Sequence, residues 1–521
     1  MKKLGLSILG GIFLSFSWPS IGYLPFIFFG FLPLLILEDS ISKSSIKKKG
    51  SLIFLYAFIT FLIFNVCTTY WIYYATIFGA ITAFLINSLL MSLVFLLFYK
   101  SKIVLGSRLG YLSFILFWVS MEYLHLNWDL AWPWLIIGNV FADNVSLVQW
   151  YEYTGILGGS ILVLTTNFLL FSYWKSRSYK NLIFVIIILI SCVTISYLLR
   201  DNNLFDDNME DFEVVIVQPN IDPYLDKFTL HYEKQMDIFL DLAEQKVTQE
   251  TKLLVGPETA LQEPIWESKV DSAYSIKRLR SFQKKFPNLS VLVGGSTYKL
   301  FSNNENISST ARQFRDNSGF YDIYNSAIFL SNTNQVKIYH KTKLVPGAER
   351  IPFPYLLNSI SAFSVDLGGI SGSLGKANSI YTFSIEDQHI TPLICYESVF
   401  GEMSSFNPSN LLCVITNDGW WKNTAGYKQH LAYARLRAIE QRKYVIRSAN
   451  TGISGVISPL GNIVESTKWN QEISIKQNII LNNNITFYHQ YGDYIGRISA
   501  FVSSILLILL FVKSRLNPTL H

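Results

Sequence analysis

Of four cysteines, Cys67, Cys192, Cys395 and Cys413, one stands where a thiol can act as a nucleophile. Cys395 follows the mostly apolar run His389-Ile390-Thr391-Pro392-Leu393-Ile394, which reads as a strand that Pro392 weakens without cancelling, and precedes Tyr396-Glu397-Ser398, a turn or helix start. A sulfur placed where strand gives way to helix can face free backbone N–H groups, which lower its pKa and make thiolate more available. Cys413 lies inside Leu411-Leu412-Cys413-Val414-Ile415 and reads as a buried, inert thiol. Cys67 and Cys192 sit in long apolar runs, and neither CxxC nor CxxH spacing occurs around the other two, so no disulfide framework or zinc site is expected.

A nucleophilic cysteine needs a base and a group that stabilises developing negative charge. Glu258 follows the short apolar run at 252–255 in Gly256-Pro257-Glu258-Thr259-Ala260, and Lys341 follows the run at 335–339 in Tyr339-His340-Lys341-Thr342-Lys343-Leu344-Val345-Pro346. Taken singly, either is an ordinary solvated surface charge. Together with Cys395 they all fall just after strand ends, where one sheet edge can present them to a common substrate. The glycine-rich stretch at 368–377 imitates a phosphate loop but has Ile370 where the first glycine belongs and Ala377 where a magnesium-binding hydroxyl belongs, so it reads as a flexible loop.

The elements that must position these residues lie between Asp211 and Ser466. Strand candidates are 213–217, 252–255, 289–293, 326–331, 335–339, 389–394, 411–416, 444–447 and 453–457. Helical periodicity appears at 230–247, 275–285 and most clearly 429–443, where Arg435, Arg437, Glu440 and Arg442 interleave with Leu431, Ala434, Ala438 and Ile439. The class is α/β or α+β with a layered sheet core.

The rest of the chain is different in kind. Half of the 521 residues are hydrophobic and 15% charged, with mean hydropathy +0.29, which excludes a disordered or disulfide-stapled chain and points to lipid. The net charge of +6 is modest and gives no nucleic-acid footprint. Apolar runs near 4–18, 23–37, 51–73, 76–98, 109–124, 155–173, 182–199 and 498–512 are span candidates, the first two of which could instead form a re-entrant pair around Trp18-Pro19. Lys and Arg gather in alternate connections, at Lys2 and Lys3, Lys43 to Lys49, Lys100 to Arg108, Lys175 to Lys180, and Lys513 with Arg515. The positive-inside rule makes those cytoplasmic and puts the basic-poor 127–155 connection and the large 201–496 region on the other side. The expected organisation is therefore 1–200 spans, 201–496 an extracytoplasmic domain, and 497–521 a last span with a short tail. Trp132, Trp134, Trp150 and Tyr151 read as an interfacial aromatic belt or as the mouth of a lipid-facing site.

The motifs together resemble the nitrilase (carbon–nitrogen hydrolase) superfamily, whose Glu-Lys-Cys triad Glu258, Lys341 and Cys395 match; with flanking spans the chain looks like its membrane branch, the apolipoprotein N-acyltransferase family. Matching stretches are Pro257-Glu258-Thr259-Ala260, Lys341 with Leu344-Val345-Pro346 and Glu349, Ile394-Cys395-Tyr396-Glu397, Asn417-Asp418-Gly419-Trp420, Gln429-His430 through Glu440, Arg447 with Asn450 to Ser454, and Tyr488, Gly492 and Asp493. Departures are Gly256 where the family often has Trp, Gly347-Ala348 for Phe-Gly, and no clear aromatic after Asn220-Ile221 other than nearby Phe228.

The resemblance implies an αββα sandwich on a helical bundle of about eight spans, held in the bacterial inner membrane with its catalytic domain on the periplasmic side. It implies that Cys395 takes a fatty acyl chain from a phospholipid as a thioester, then passes it to the α-amine of a lipoprotein's N-terminal diacylglyceryl-cysteine. Glu258 would move the proton, Lys341 and a backbone N–H near Tyr396 would hold the oxyanion, and Glu349 and Glu397 would orient Lys341 or Cys395. No metal, cofactor or nucleic acid enters this chemistry. The apolar run Ile351-Pro352-Phe353-Pro354-Tyr355-Leu356-Leu357 reads as a mobile lid, with Tyr355 and Leu356 touching lipid, or alternatively as ordinary core packing. A membrane-tethered amidase or nitrilase using the same triad with water is the alternative, and a ligand-binding receptor or transporter a third reading.

Overall fold

A computed structural model describes residues 2–200, 211–227, 229–302, 305–333, 335–353 and 373–516. The chain divides into two compact units, residues 1–202 with 490–521, and residues 203–489.

In the first unit, six helical stretches among the described residues are long and apolar enough to cross a membrane: Leu24–Lys43, Lys49–Thr69, Ile77–Leu105, Tyr151–Ser176, Tyr179–Leu198 and Tyr494–Leu516. Two of the eight expected runs fall short by that measure. Lys2–Phe16 is a 15-residue helix, about 22 Å long against the ~30 Å of a hydrocarbon core. Ser107–His125 has 19 residues but includes Arg108, Glu122 and His125. It packs against Ile77–Leu105 and Tyr494–Leu516, with the Ser120 and Ser503 hydroxyls 2.7 Å apart. Basic residues in the last turns of two of these helices meet buried acids: Lys102 pairs with Glu38, and Lys175 lies 2.7 Å from Asp39. The four aromatic residues singled out at 132–151 divide, with Trp132 and Trp150 half-buried. Trp134 and Tyr151 are buried, and Trp134 packs on Trp71 with ring centroids 4.8 Å apart.

The second unit is a four-layer sandwich. One sheet runs β14-β1-β2-β4-β6-β5, with β3 also on β4 and β7 on β6. Its strands are β1 (Asp211–Gln218), β2 (Thr251–Val255), β3 (Leu261–Trp266), β4 (Ser290–Leu300), β5 (Arg312–Gln313), β6 (Phe320–Leu330), β7 (Val336–His340) and β14 (Ile473–Ile480). The other runs β13-β12-β11-β10-β9-β8, from β8 (Phe383–Ile385), β9 (Gln388–Ile394), β10 (Leu411–Thr416), β11 (Tyr444–Ala449), β12 (Gly455–Ile457) and β13 (Ile463–Ser466). Alternation decides which side chains go where. Val214, Ile216, Leu253 and Val255 meet Ile390, Ile394, Cys413 and Ile415 between the sheets. Val215, Val217 and Leu254 turn the other way onto Phe239, Leu240, Ile276 and Leu279 of the Tyr232–Glu244 and Tyr274–Gln283 helices. Leu393, Leu412 and Val414 likewise cover Leu431, Ala434 and Ala438 of the Ala425–Gln441 helix.

Pro392 is accommodated because β8 flanks β9 only through Ile390. On that side its missing N–H has no strand to face.

Candidate active site

Each of the three residues singled out in the sequence stands where a strand ends. Glu258 comes after β2, across Gly256-Pro257. A Cβ on Gly256 would lie 2.7 Å from the Phe239 ring and 2.9 Å from Val293, so a larger residue at this position requires a different neighbour. A Cβ on Gly294 of β4 would meet Thr259 N at 2.5 Å and the Glu258 Cα at 2.6 Å, and Gly294 N donates to Pro257 O at 3.0 Å. The absent side chain is what lets the Glu258 turn lie against β4. Lys341 directly follows β7, and its N–H donates to Asn325 O on β6 at 2.9 Å. Cys395 directly follows β9 and opens the 3-10 turn Cys395–Val399 with φ +50°, a left-handed conformation that a non-glycine residue adopts only when its surroundings enforce it.

Glu258 and Lys341 are not solvated charges: they are 7% and 1% exposed. The Lys341 ammonium lies 3.3 Å from Glu258 Oε1 and 2.8 Å from Glu349 Oε1. Asn325 Nδ2 donates to the same two oxygens at 2.8 and 2.9 Å, and Val345 N donates to the other Glu349 oxygen at 2.8 Å. Burial alone would lower the Lys341 pKa, but the Glu349 and Glu258 carboxylates outweigh it and hold the ammonium above the usual lysine value. Lys341 is thus a fixed positive charge at neutral pH.

Glu397 is fully buried and joins the Cys395 turn to the Lys341 turn. One carboxylate oxygen accepts from Ile394 N at 2.8 Å. The other accepts from Tyr339 OH at 2.7 Å, Thr342 N at 2.6 Å and Thr342 Oγ1 at 2.7 Å. It therefore acts on Cys395 and Lys341 through the backbone beside each. Behind the turn, the Cys395 carbonyl accepts from Ser398 Oγ at 2.7 Å and lies 3.2 Å from His430 Nε2. His430 Nδ1 is 2.9 Å from Asp418 Oδ1, and Asp418 pairs with buried Arg447. These bonds account for the enforced backbone at Cys395.

The thiol itself departs from the sequence reading. Burial and then the Glu258 carboxylate push the Cys395 pKa up, and Lys341 and Thr416 only partly oppose them. The net shift is upward, so the resting group is a thiol that needs a base. Cys413 sits between the sheets, its pKa raised by burial alone. Tyr396 is buried with its ring against Phe400 at 5.0 Å.

Phe228, Tyr355 and Leu356 lie outside the described residues. Of the phosphate-loop imitation, residues 374, 375 and 377 are hydrogen-bonded to Glu349, Ile323 and Lys341 backbone carbonyls. Two residues that spacing did not reveal also belong here. Asn325 points from mid-strand, and Lys227 is buried with its ammonium on Thr259 Oγ1. The periodicity of β6, an apolar run interrupted by Asn325 and Ser326, was the available signal for the first.

Residues 214–479, just over half of the chain, match the family model described as carbon-nitrogen hydrolase. Residues 10–169 match the one described as apolipoprotein N-acyltransferase N-terminal domain. A relative from Chlorobaculum tepidum named apolipoprotein N-acyltransferase is 26% identical, over 99% of this chain and 97% of its own length. One of the same name from Geobacter metallireducens is also 26% identical, over 94% and 91%. Among solved structures, a CN-hydrolase superfamily protein from Xanthomonas campestris aligns with 52% of this chain and 91% of its own, at 16% identity and a TM-score of 0.35.

Proposed function

We propose, given that this chain belongs to the carbon–nitrogen hydrolase family, that it transfers a fatty acyl chain from a phospholipid to the α-amino group of the N-terminal diacylglyceryl-cysteine of apolipoproteins. The observation that carries the reading is Lys341 held between Glu258 and Glu349, with Cys395 in the field of Glu258 and Lys341, on a chain that also carries six membrane-length apolar helices. An acyl donor embedded in lipid and an acceptor anchored by its own acyl chains both suit an enzyme in a bilayer. Relatives that bear this activity as their name, matched across nearly their full length, support it.

In the first half-reaction Glu258 takes the Cys395 proton, and the thiolate attacks the ester carbonyl of the phospholipid. Lys341 and the backbone N–H at Tyr396 stabilise the oxyanion, with ~3–4 kcal/mol per well-placed donor. Collapse breaks the C–O bond, the leaving lysophospholipid oxygen receives the proton from Glu258, and a thioester remains on Cys395. In the second half, the neutral α-amine attacks the thioester, its proton passes to Glu258, and the C–S bond breaks. The departing thiolate recovers the proton, leaving an amide on the lipoprotein and the enzyme as it began.

The proposed setting is the bacterial inner membrane with residues 203–489 on the periplasmic side, as the alternating basic connections argue. The test follows a labelled acyl chain from phospholipid in the presence of a diacylated lipopeptide. Label on the peptide amine is expected; label released as free fatty acid, with none on the amine, would mean that water is the acceptor and the chain is a hydrolase.

A further inference from the structure

Counting charges at the site leaves it one short. Lys341 is in contact with both Glu258 and Glu349, so the trio carries net negative charge, and an unscreened negative site opposes formation of a thiolate in its midst. Among the described residues one further buried ammonium stands beside them, that of Lys227.

Lys227 is 5% exposed. Its Nζ donates to Thr259 Oγ1, on the residue after Glu258, and lies 6.0 Å from the centre of the Trp420 ring. No carboxylate of the described residues lies in ion-pair contact with it. The loop that carries it is built in place: Gln235 Nε2 donates to Lys227 O at 2.9 Å, Tyr224 OH donates to Trp420 O at 2.6 Å, and the Tyr224 and Trp420 rings meet edge-on at 5.5 Å. Burying an ammonium without a bonded acid carries a desolvation penalty of several kcal/mol.

We infer that Lys227 is a further positioning residue of this site, whose buried ammonium supplies the positive charge that the Glu258–Lys341–Glu349 trio lacks and so allows Cys395 to ionise beside two carboxylates. With it the set is neutral, both before the Cys395 proton moves to Glu258 and after. Burial lowers Lys227 to about 8, with Glu258 and Cys395 opposing the shift, so the charge is present at neutral pH. The other groups acting on Cys395 are Glu258 after β2, Lys341 after β7 and Asp418 after β10. Glu349 acts through Lys341, and His430 and Arg447 act through the Cys395 carbonyl and Asp418. The inference rests on the reading of Cys395 as the nucleophile.

The test is the rate of iodoacetamide alkylation at Cys395 at pH 7, where the Lys227 charge is present, read by mass spectrometry of its peptide, in the full-length protein in detergent. Lys227→Met is expected to slow alkylation about tenfold or more, the equivalent of about one unit in the thiol pKa, and Lys227→Arg is expected to keep the wild-type rate. A Lys227→Met rate that equals wild type overturns the inference, as does equal slowing in Lys227→Arg, which would mean a packing effect. If Lys227→Met fails to fold, Thr259→Val decides: removing the hydroxyl that holds the ammonium should slow alkylation at pH 7, and no change overturns the inference. Alkylation uses no acyl donor, so failure here leaves the proposed transfer standing, and absence of transfer leaves this result readable.

Discussion

Glu349 is the nearer of the two carboxylates around Lys341, at 2.8 Å against 3.3 Å for Glu258. Glu349 fixes the ammonium and is itself fixed by Asn325 and Val345 N, while Glu258, the carboxylate proposed to carry the proton, holds it at the longer distance. Glu349→Gln keeps shape and loses charge. It should lower the rate of single-turnover acylation roughly 10²-fold, about 2.7 kcal/mol, with the melting temperature nearly unchanged. An equal loss of rate and of folding would assign Glu349 to architecture alone.

Gly294→Ala tests whether the Glu258 turn depends on close approach to β4. The new methyl would stand 2.5 Å from Thr259 N and 2.6 Å from the Glu258 Cα, both backbone atoms with little freedom to yield. A stability loss of about 1–3 kcal/mol is expected for the overpacking, together with a fall in kcat roughly 10²-fold from a misplaced base. Thermal denaturation and steady-state rates on the same preparation check both.

Much of this site was legible because strand ends are legible. The runs before Glu258, Lys341 and Cys395 are short, apolar and β-branched, and β2, β7 and β9 fall within a residue or so of their expected bounds. β3, β5, β8, β13 and β14 were not expected. β3 holds Glu263 and Pro264, and β14 interrupts its isoleucines with Lys476, Gln477 and Asn478, so neither shows clean alternation. Electrostatics were less legible still. The raised pKa of Cys395 depends on burial and on Glu258, 137 positions away in sequence, and local spacing at a strand-to-helix junction suggested the opposite sign. Lys227 in its sequence context is one more loop lysine until the fold buries it.

Glu397→Ala should be a folding defect before it is a catalytic one. It removes the acceptor for Tyr339 OH, Thr342 N and Ile394 N in a fully buried setting, at about 1–3 kcal/mol for each group left unpaired. Lower expression and a melting temperature several degrees down are expected, with Glu397→Gln intermediate.

Asp418 gives the site an acid limit. Burial would raise its pKa, but Arg447 and His430 overcome that and hold it below the usual aspartate value. A carboxylate with a depressed folded-state pKa contributes stability that is present above its unfolded value and lost as pH falls through the lowered one. Melting temperatures measured from about pH 7 down to about pH 2 should fall at the acid end. Asp418→Asn should flatten that limb while costing about 3–5 kcal/mol at neutral pH, because Arg447 is left buried without its partner. An unchanged acid limb would show that other carboxylates set it.

The central claim is that Cys395 carries the acyl chain between two lipidic molecules. Intact and peptide mass spectrometry of the protein after incubation with phospholipid tests it most directly. The account predicts a fatty-acyl increment on the Cys395 peptide, absent in Cys395→Ala and cleared on addition of a diacylated lipopeptide; acyl transfer that persists in Cys395→Ala, or an adduct that the lipopeptide leaves in place, would contradict it.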